Sequence, residues 1–221
     1  MRPPGAPTTG RRDRPDVLAL LLDLGFDLHE RRRLDLEPAE DTWGQPLRNC
    51  AEHGEFAIVV YDRGMPVSVN VQTVHPRTLA AVRREVAPGA VGSAWGPALG
   101  KVWEFIRSQP GLRTDGHNIF LYHHPKQPGA PILCDFGVEV TRTFETAGEV
   151  YATETPGGEA AVTVHRGPYN RMKEAHNAIA QWMAANRRES AGHSWEIYGD
   201  PAPDPADTET TVVYLLLGSS Y

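Results

Sequence analysis

Gly192-His193-Ser194-Trp195-Glu196-Ile197-Tyr198-Gly199-Asp200 is the stretch from which the rest of the chain can be read. It has the look of a short strand with one acid in an apolar, aromatic setting. A second copy of its frame lies upstream, at Gly116-His117-Asn118-Ile119-Phe120-Leu121-Tyr122. The two share Gly-His, an apolar position and the final Tyr, and differ most where Phe120 stands against Glu196. A duplication in which one copy keeps an aromatic and the other carries a carboxylate predicts a pseudo-symmetric pocket with one polar anchor.

The sequence around these copies repeats in the same order. Val67, Val69 and Val71 alternate with Ser68, Asn70 and Gln72, as in a half-buried strand. His75 to Val86 has apolar residues at helical spacing. Leu99, Val102, Trp103 and Ile106 share one helical face within Trp95 to Arg107. Asn118 to His123 and Ile132 to Thr141 then read as strands joined across a Pro-Gly-rich loop. In the second half, Glu159 to Arg166 is a strand, Tyr169 to Asn186 a helix, and His193 to Tyr198 and Thr210 to Leu217 the closing strands. The predicted fold is α+β: two pseudo-symmetric strand-helix-strand-strand modules with a ligand cleft between them. Trp103 and Trp182, late in the two helices, read as core.

Residues 1–14 are rich in Pro, Gly and Arg with no apolar face, and predict a disordered tail. Residues 15–65 resemble ankyrin repeats. Asp16 to Gly25 reads as a helix ended by Gly, and Gln45-Pro46-Leu47-Arg48 stands where that family has Thr-Pro-Leu-His. A complete stack is missing, and such arrays need about three repeats to bury their faces. This short helical segment is therefore expected to pack on the following domain or to offer a protein partner a surface. That leaves residues 66–221 as the main domain.

Composition narrows the function. A chain of 221 residues with 40% hydrophobic and 23% charged content is ordinary for a globular protein. A net charge of -6 argues against a nucleic-acid surface. The longest apolar runs, Val17 to Leu22 and Val212 to Leu217, are too short to span a bilayer. Arg2-Pro3-Pro4-Gly5 has no apolar core of a signal peptide, so a cytoplasmic protein is expected. Cys50 and Cys134 form no CxxC and suit reduced thiols. His123-His124, His165 and His176 lack metal-ligand spacing, so neither a metal nor a cofactor is expected. Asp135-Phe136-Gly137 stands without the other kinase motifs, and no GxSxG is present.

The duplicated order over about residues 66–218 resembles the GyrI-like small-molecule-binding domain, the effector-binding domain of MerR- and AraC-type drug-responsive regulators. The features that carry the likeness are Arg166-Gly167-Pro168-Tyr169, Trp195-Glu196-Ile197-Tyr198 and Thr211 to Leu217. The resemblance implies two modules with sheets side by side, helices on one face, and a cleft whose floor holds a glutamate, matched here by Glu196. Alternation along the strand puts Ser194, Glu196 and Tyr198 on one face and Trp195 and Ile197 on the other. If helices cover the Trp195 side, Glu196 and Tyr198 point into the cleft, joined by Phe120 and Tyr122 from the first module. Trp95, Tyr169 and Tyr214 are further aromatic candidates. A carboxylate there loses water, so its pKa should rise unless a cation or donors compensate.

Two uses of that carboxylate follow. It can anchor an apolar, aromatic or cationic drug-like molecule, in a sensor or sequestering resistance protein. It can instead act as a general acid or base, because some stand-alone relatives hydrolyse cyclopropanoid DNA-alkylating antibiotics. Glu196 would then activate water, while Tyr198 or Tyr122 stabilises the developing oxyanion. A third class is a protein-binding inhibitor of DNA gyrase, after the family's namesake, with residues 15–65 as extra support. No helix-turn-helix can be placed before residue 66.

Overall fold

The computed structural model describes residues 58–62, 65–112, 116–200 and 202–218. The elements run β1 (Ile58–Asp62), β2 (Met65–Val74), β3 (Thr78–Val86), α1 (Val91–Ser108), β4 (Asn118–His123), β5 (Ile132–Glu139), β6 (Tyr151–Glu154), β7 (Gly158–Arg166), α2 (Lys173–Ala185), β8 (Ser190–Tyr198) and β9 (Glu209–Leu216). Every pairing is antiparallel, in the order β1-β2-β7-β9-β8-β4-β5-β3-β6. Strands β2 to β9 form one open sheet. β1 extends it only along the first half of β2, while β7 takes the second half.

Two copies of strand-helix-strand-strand lie within this order, β3-α1-β4-β5 and β7-α2-β8-β9. They meet at the β4–β8 seam, where Phe120 sits directly opposite Glu196. The shift along the chain that carries Phe120 to Glu196 also carries Tyr122 to Tyr198. It carries Phe136, the β5 partner of Phe120, to Val212, the β9 partner of Glu196. The duplicated frame is thus an approximate two-fold axis through the seam. Outside the modules the copies trade strands. β2, which precedes the first module, pairs with β7 of the second, and β6, which precedes the second, pairs with β3 of the first.

That trade shapes the sheet. β2 and β3 stand six strands apart in the sheet yet are joined by three residues, and so are β6 and β7. A flat sheet would hold such strands about 29 Å apart, whereas the connector reaches about 14 Å. The sheet must therefore curl until its rims approach. The two connectors meet where they cross. The Thr155 N–H donates to the Arg77 carbonyl at 3.0 Å, and the Arg77 N–H donates to Thr155 Oγ1 at 3.0 Å.

The curl produces three apolar clusters. Leu99, Val102 and Ile106 of α1 pack on Ala80, Val82, Phe120 and Phe136. Ala175, Ile179, Trp182 and Met183 of α2 pack on Val69, Ala161, Val212 and Tyr214. Among the described residues, no helix packs on the other face. Leu79, Ala81, Ile119, Leu121, Val162, Trp195 and Val213 close it among themselves. Asp135 is buried on that face. It accepts from Arg83 Nε and Nη2 at 2.7 Å, from the Tyr151 hydroxyl at 2.5 Å and from His123 Nε2 at 2.8 Å. Burial pushes its pKa up, but the Arg83 hydrogen bonds reverse this and hold it below the usual carboxylate range.

Three expectations need correction. Thr78–Val86 is a strand, although Leu79, Val82 and Val86 sit at helical spacing. Both faces of β3 are buried from Leu79 to Val82, so the alternation that betrays a strand is missing there. The helices cover the Glu196 face of β8 and not the Trp195 face, whose residues fill the helix-free cluster. Residues 1–57, and with them the tail and most of the ankyrin-like segment, lie outside the described residues. Its described end, Ile58–Asp62, is a strand paired to β2, so the sheet begins before the expected boundary at residue 66.

The crossing is testable. A Cβ on Gly157 would lie 2.8 Å from Pro76 Cδ and 3.3 Å from the Val74 carbonyl oxygen, in the tightest part of the curl. Gly157→Ala is expected to cost about 1–3 kcal/mol in urea unfolding. Gly100→Ala, on an open stretch of α1 with nothing within 4 Å, should instead stabilise by about 0.5–1 kcal/mol.

Candidate functional site

The seam positions the polar centre of the molecule. Glu196 lies two residues before the end of β8, only 5% exposed, on the face that α1 and α2 flank. Its alternation partner Tyr198 donates a hydroxyl hydrogen bond to Oε2 at 2.5 Å. Tyr122, on the neighbouring strand β4, donates to the same oxygen at 2.7 Å. His176, on the inner face of α2, places Nε2 2.8 Å from Oε1. The Tyr214 hydroxyl lies 2.9 Å from the other ring nitrogen of His176 and holds the imidazole in place.

Burial raises the Glu196 pKa, but the His176 hydrogen bond and charge, then the two phenols, outweigh it. The carboxyl titrates below its ordinary value. The expected rise is therefore replaced by a fall, because the donors come from the protein itself. Tyr122 and Tyr198 shift the other way. Burial first, and then the adjacent Glu196 charge, hold both phenols well above their usual range. Beyond this group, His124 Nε2 lies 2.7 Å from Ser194 Oγ, and the His124 ring stacks on Tyr214. Burial, with His176 nearby, pushes His124 down to about 3.

Above the carboxylate, on the first-module side, opens a cleft of about 340 Å³. Trp95, Leu99 and Trp103 of α1 form one wall. Phe120 and Tyr198 from the seam form the base, and Tyr169 closes the far side. The rings make a continuous set: Trp95 to Phe120 at 6.1 Å, Phe120 to Tyr198 at 4.7 Å and Tyr198 to Tyr169 at 5.4 Å between centroids. Trp95 and Tyr169 remain 43% and 52% exposed, as rims of an open site. Tyr169 owes its place to Arg166-Gly167-Pro168-Tyr169. Gly167 takes φ +124°, which suits only glycine, and its N–H donates to the Thr208 carbonyl at 2.9 Å. One 3-10 turn, Tyr169–Arg171, then leads into α2.

Of the seven residues expected at the site, Trp95, Phe120, Tyr169 and Tyr198 line the cleft. Glu196 and Tyr122 lie beneath its base. Tyr214 is buried on the α2 side, where it meets His176 and not the cleft. His117, Asn118, Gly199 and Asp200 also line the cleft, as do Leu99 from the apolar face of α1 and Trp103, which was expected in the core and is instead only partly buried at the cleft wall. Signals for four of them existed: His117 and Asn118 belong to the first copy of the duplicated frame, and Gly199 and Asp200 end the second. Nothing in the sequence pairs His176 with Glu196.

Among the described residues no group of His, Cys, Asp and Glu is arranged to hold a metal ion. Cys134 is buried, and burial pushes its thiol up to about 12. No described helix is long and apolar enough to cross a membrane.

Comparison with known proteins places this architecture. No curated protein matches the sequence. Among solved structures, the C-terminal domain of EcmrR aligns over 69% of this chain and 99% of its own, at 19% identity and a TM-score of 0.59. EcmrR in a complex with DNA aligns over 68% of this chain and 57% of its own, at 19% identity and a TM-score of 0.58. SAV2435 bound to tetraphenylphosphonium aligns over 68% and 94%, at 10% identity and a TM-score of 0.52. At these identities the likeness is one of fold. The model of the GyrI-like small-molecule-binding domain matches residues 68–217, most of the chain and nearly the whole of the described sheet, and the chain belongs to that family.

Proposed function

We propose that this chain binds a cationic, largely aromatic small molecule in the cleft beside α1, with Glu196 as the fixed counter-charge beneath its base. One observation carries the reading: five aromatic side chains, Trp95, Trp103, Phe120, Tyr169 and Tyr198, line a cleft whose base covers a buried carboxylate held below its ordinary pKa. Among the described residues, its lining contains no Lys or Arg that would repel a cation. A cation over an aromatic face gains about 0.5–2 kcal/mol, more as water is excluded. Tyr198 adds to this, because a phenol that donates to a carboxylate has an electron-richer ring. SAV2435, which shares the fold, is seen with a cation of this kind, tetraphenylphosphonium.

The geometry favours binding over hydrolysis. A general base working near neutrality needs a pKa near 7 and a free lone pair facing water. Glu196 has a lowered pKa, is buried, and already accepts three hydrogen bonds. Tyr122 and Tyr198, the phenols that would stabilise an oxyanion, spend their protons on Glu196.

The counter-charge can be tested without a ligand. A carboxyl that titrates lower when folded than when unfolded contributes stability above its unfolded value, near 4.5, and loses it as pH falls through the folded value. Removing a donor from the buried charge by His176→Leu should cost about 2–4 kcal/mol at pH 7. That deficit should shrink as the pH is lowered toward 4, when urea unfolding is compared at both pH values. A deficit independent of pH would mean that Glu196 is not the ionised centre of the network.

Ligand binding is the second test. Tetraphenylphosphonium should quench the fluorescence of Trp95 and Trp103 saturably, and the neutral isostere tetraphenylmethane-type probes should bind at least ten-fold more weakly. Glu196→Gln, confirmed folded by circular dichroism, should reduce that preference for the cation to near one. An unchanged preference in Glu196→Gln would remove Glu196 from the reading.

A further inference from the structure

The far wall of the cleft stands on a turn, and a buried histidine outside the cleft holds that turn. Tyr169 is 52% exposed and meets Tyr198 edge-on, with ring centroids 5.4 Å apart. A ring so open is placed by its backbone more than by packing. His165 precedes Arg166-Gly167-Pro168-Tyr169 and is only 6% exposed. It sits opposite Thr210 on β9, which sits opposite Tyr198 on β8. His165 therefore shares the cross-strand row and the face of Tyr198, about 10 Å away across two strand spacings. At Gly167 the chain turns back over this row, and the His165 Nε2–H donates to the Pro168 carbonyl at 3.1 Å. The same carbonyl accepts from the Arg171 N–H at 3.0 Å, the bond that closes the 3-10 turn. Both lone pairs of that oxygen are thus engaged, one by the strand below and one by the turn ahead. The turn has no side-chain cap of its own.

We propose that His165 is a positioning residue of the binding site: its latch on Pro168 keeps Tyr169 over Tyr198, and so sets how long a bound molecule stays. This rests on the binding function proposed above and adds the control of release. His165 is not among the residues that line the cleft, so it acts through Tyr169 and not on the ligand. A wall already ordered in the free protein needs no ordering when the ligand arrives. Without the latch, Pro168 keeps its bond to Arg171, but the turn pivots at Gly167, still tied to the Thr208 carbonyl, and carries Tyr169 away. A lifted wall does not obstruct entry. The loss therefore falls on departure, where most affinity differences between related complexes arise.

The experiment follows tryptophan quenching of the full chain by tetraphenylphosphonium in stopped flow, which separates entry from release. His165→Leu should raise the off-rate about five- to ten-fold and leave the on-rate within about two-fold of wild type. His165→Gln carries an amide N–H close to the Nε2 position and should bring the off-rate back to within about two-fold of wild type. A histidine that only filled space would give the opposite order, because Leu suits so buried a site better than Gln. His165→Asn, whose amide is too short to reach Pro168, stands in if His165→Leu does not fold. Tyr169→Ala should raise the off-rate by itself, and adding His165→Leu to it should raise it no further. An off-rate unchanged in His165→Leu, a failure of Gln to restore it, or an equal effect with and without Tyr169 overturns the inference and leaves the binding function intact. If tetraphenylphosphonium does not bind wild type, the proposed function falls and the inference with it.

Discussion

A carboxylate sealed inside a protein must be given donors, and the placement of Glu196 imposes that demand on the rest of this fold. The effective cost of taking such a charge out of water is several kcal/mol. Here it is offset by groups from three separate elements: Tyr122 on β4, Tyr198 on β8 and His176 on α2. None of the three can be moved independently. A slip of one residue at the β4–β8 seam would turn Glu196 toward Trp195's face, among Leu121, Val162 and Val213, and away from Tyr122, Tyr198 and His176. A rotation of α2 would withdraw the imidazole that Tyr214 steadies. The carboxylate thus selects one register and one helix orientation, at a cost in stability that an apolar residue there would not carry.

The same constraint explains why the two halves of the cleft differ although their backbones match. The two-fold axis passes between Phe120 and Glu196, so the position that is aromatic in one half is charged in the other. On the first-module side, rings of Phe120 and Trp95 leave open space. On the second, His176, Tyr214, Ser194 and His124 fill the equivalent region with hydrogen bonds. A symmetric scaffold becomes a one-sided site because the acid draws its partners to one side.

Much of this was legible in the chain. The Gly-His copies located the seam, and Phe120 against Glu196 located the polar centre, because duplication preserves spacing even where side chains diverge. Trp95 and Tyr169 could be picked out as isolated aromatics near helix starts. What stayed hidden has physical reasons. β3 is buried on both faces, so its pattern mimics a helix. The sheet closes its helix-free face on itself, and a period-of-two pattern cannot say which face a helix covers. His176 lies on α2 among apolar neighbours, with nothing to distinguish a histidine that holds a carboxylate from one that fills space.

The exchange of β2 and β6 bears on how the molecule assembles. Neither module owns its outer strand, so neither can complete its sheet before the other is present. The contacts that finish each half join segments far apart in sequence: Asn70 with Val162, Ala80 with Ala152. Such a chain has few stable resting points between coil and native state and pays much loop-closure entropy before its gains arrive. Folding should be slow and all-or-none across both modules. A half expressed alone would carry an orphaned strand beside an uncovered edge, each shaped for the other, and two such halves would meet by trading those strands between chains.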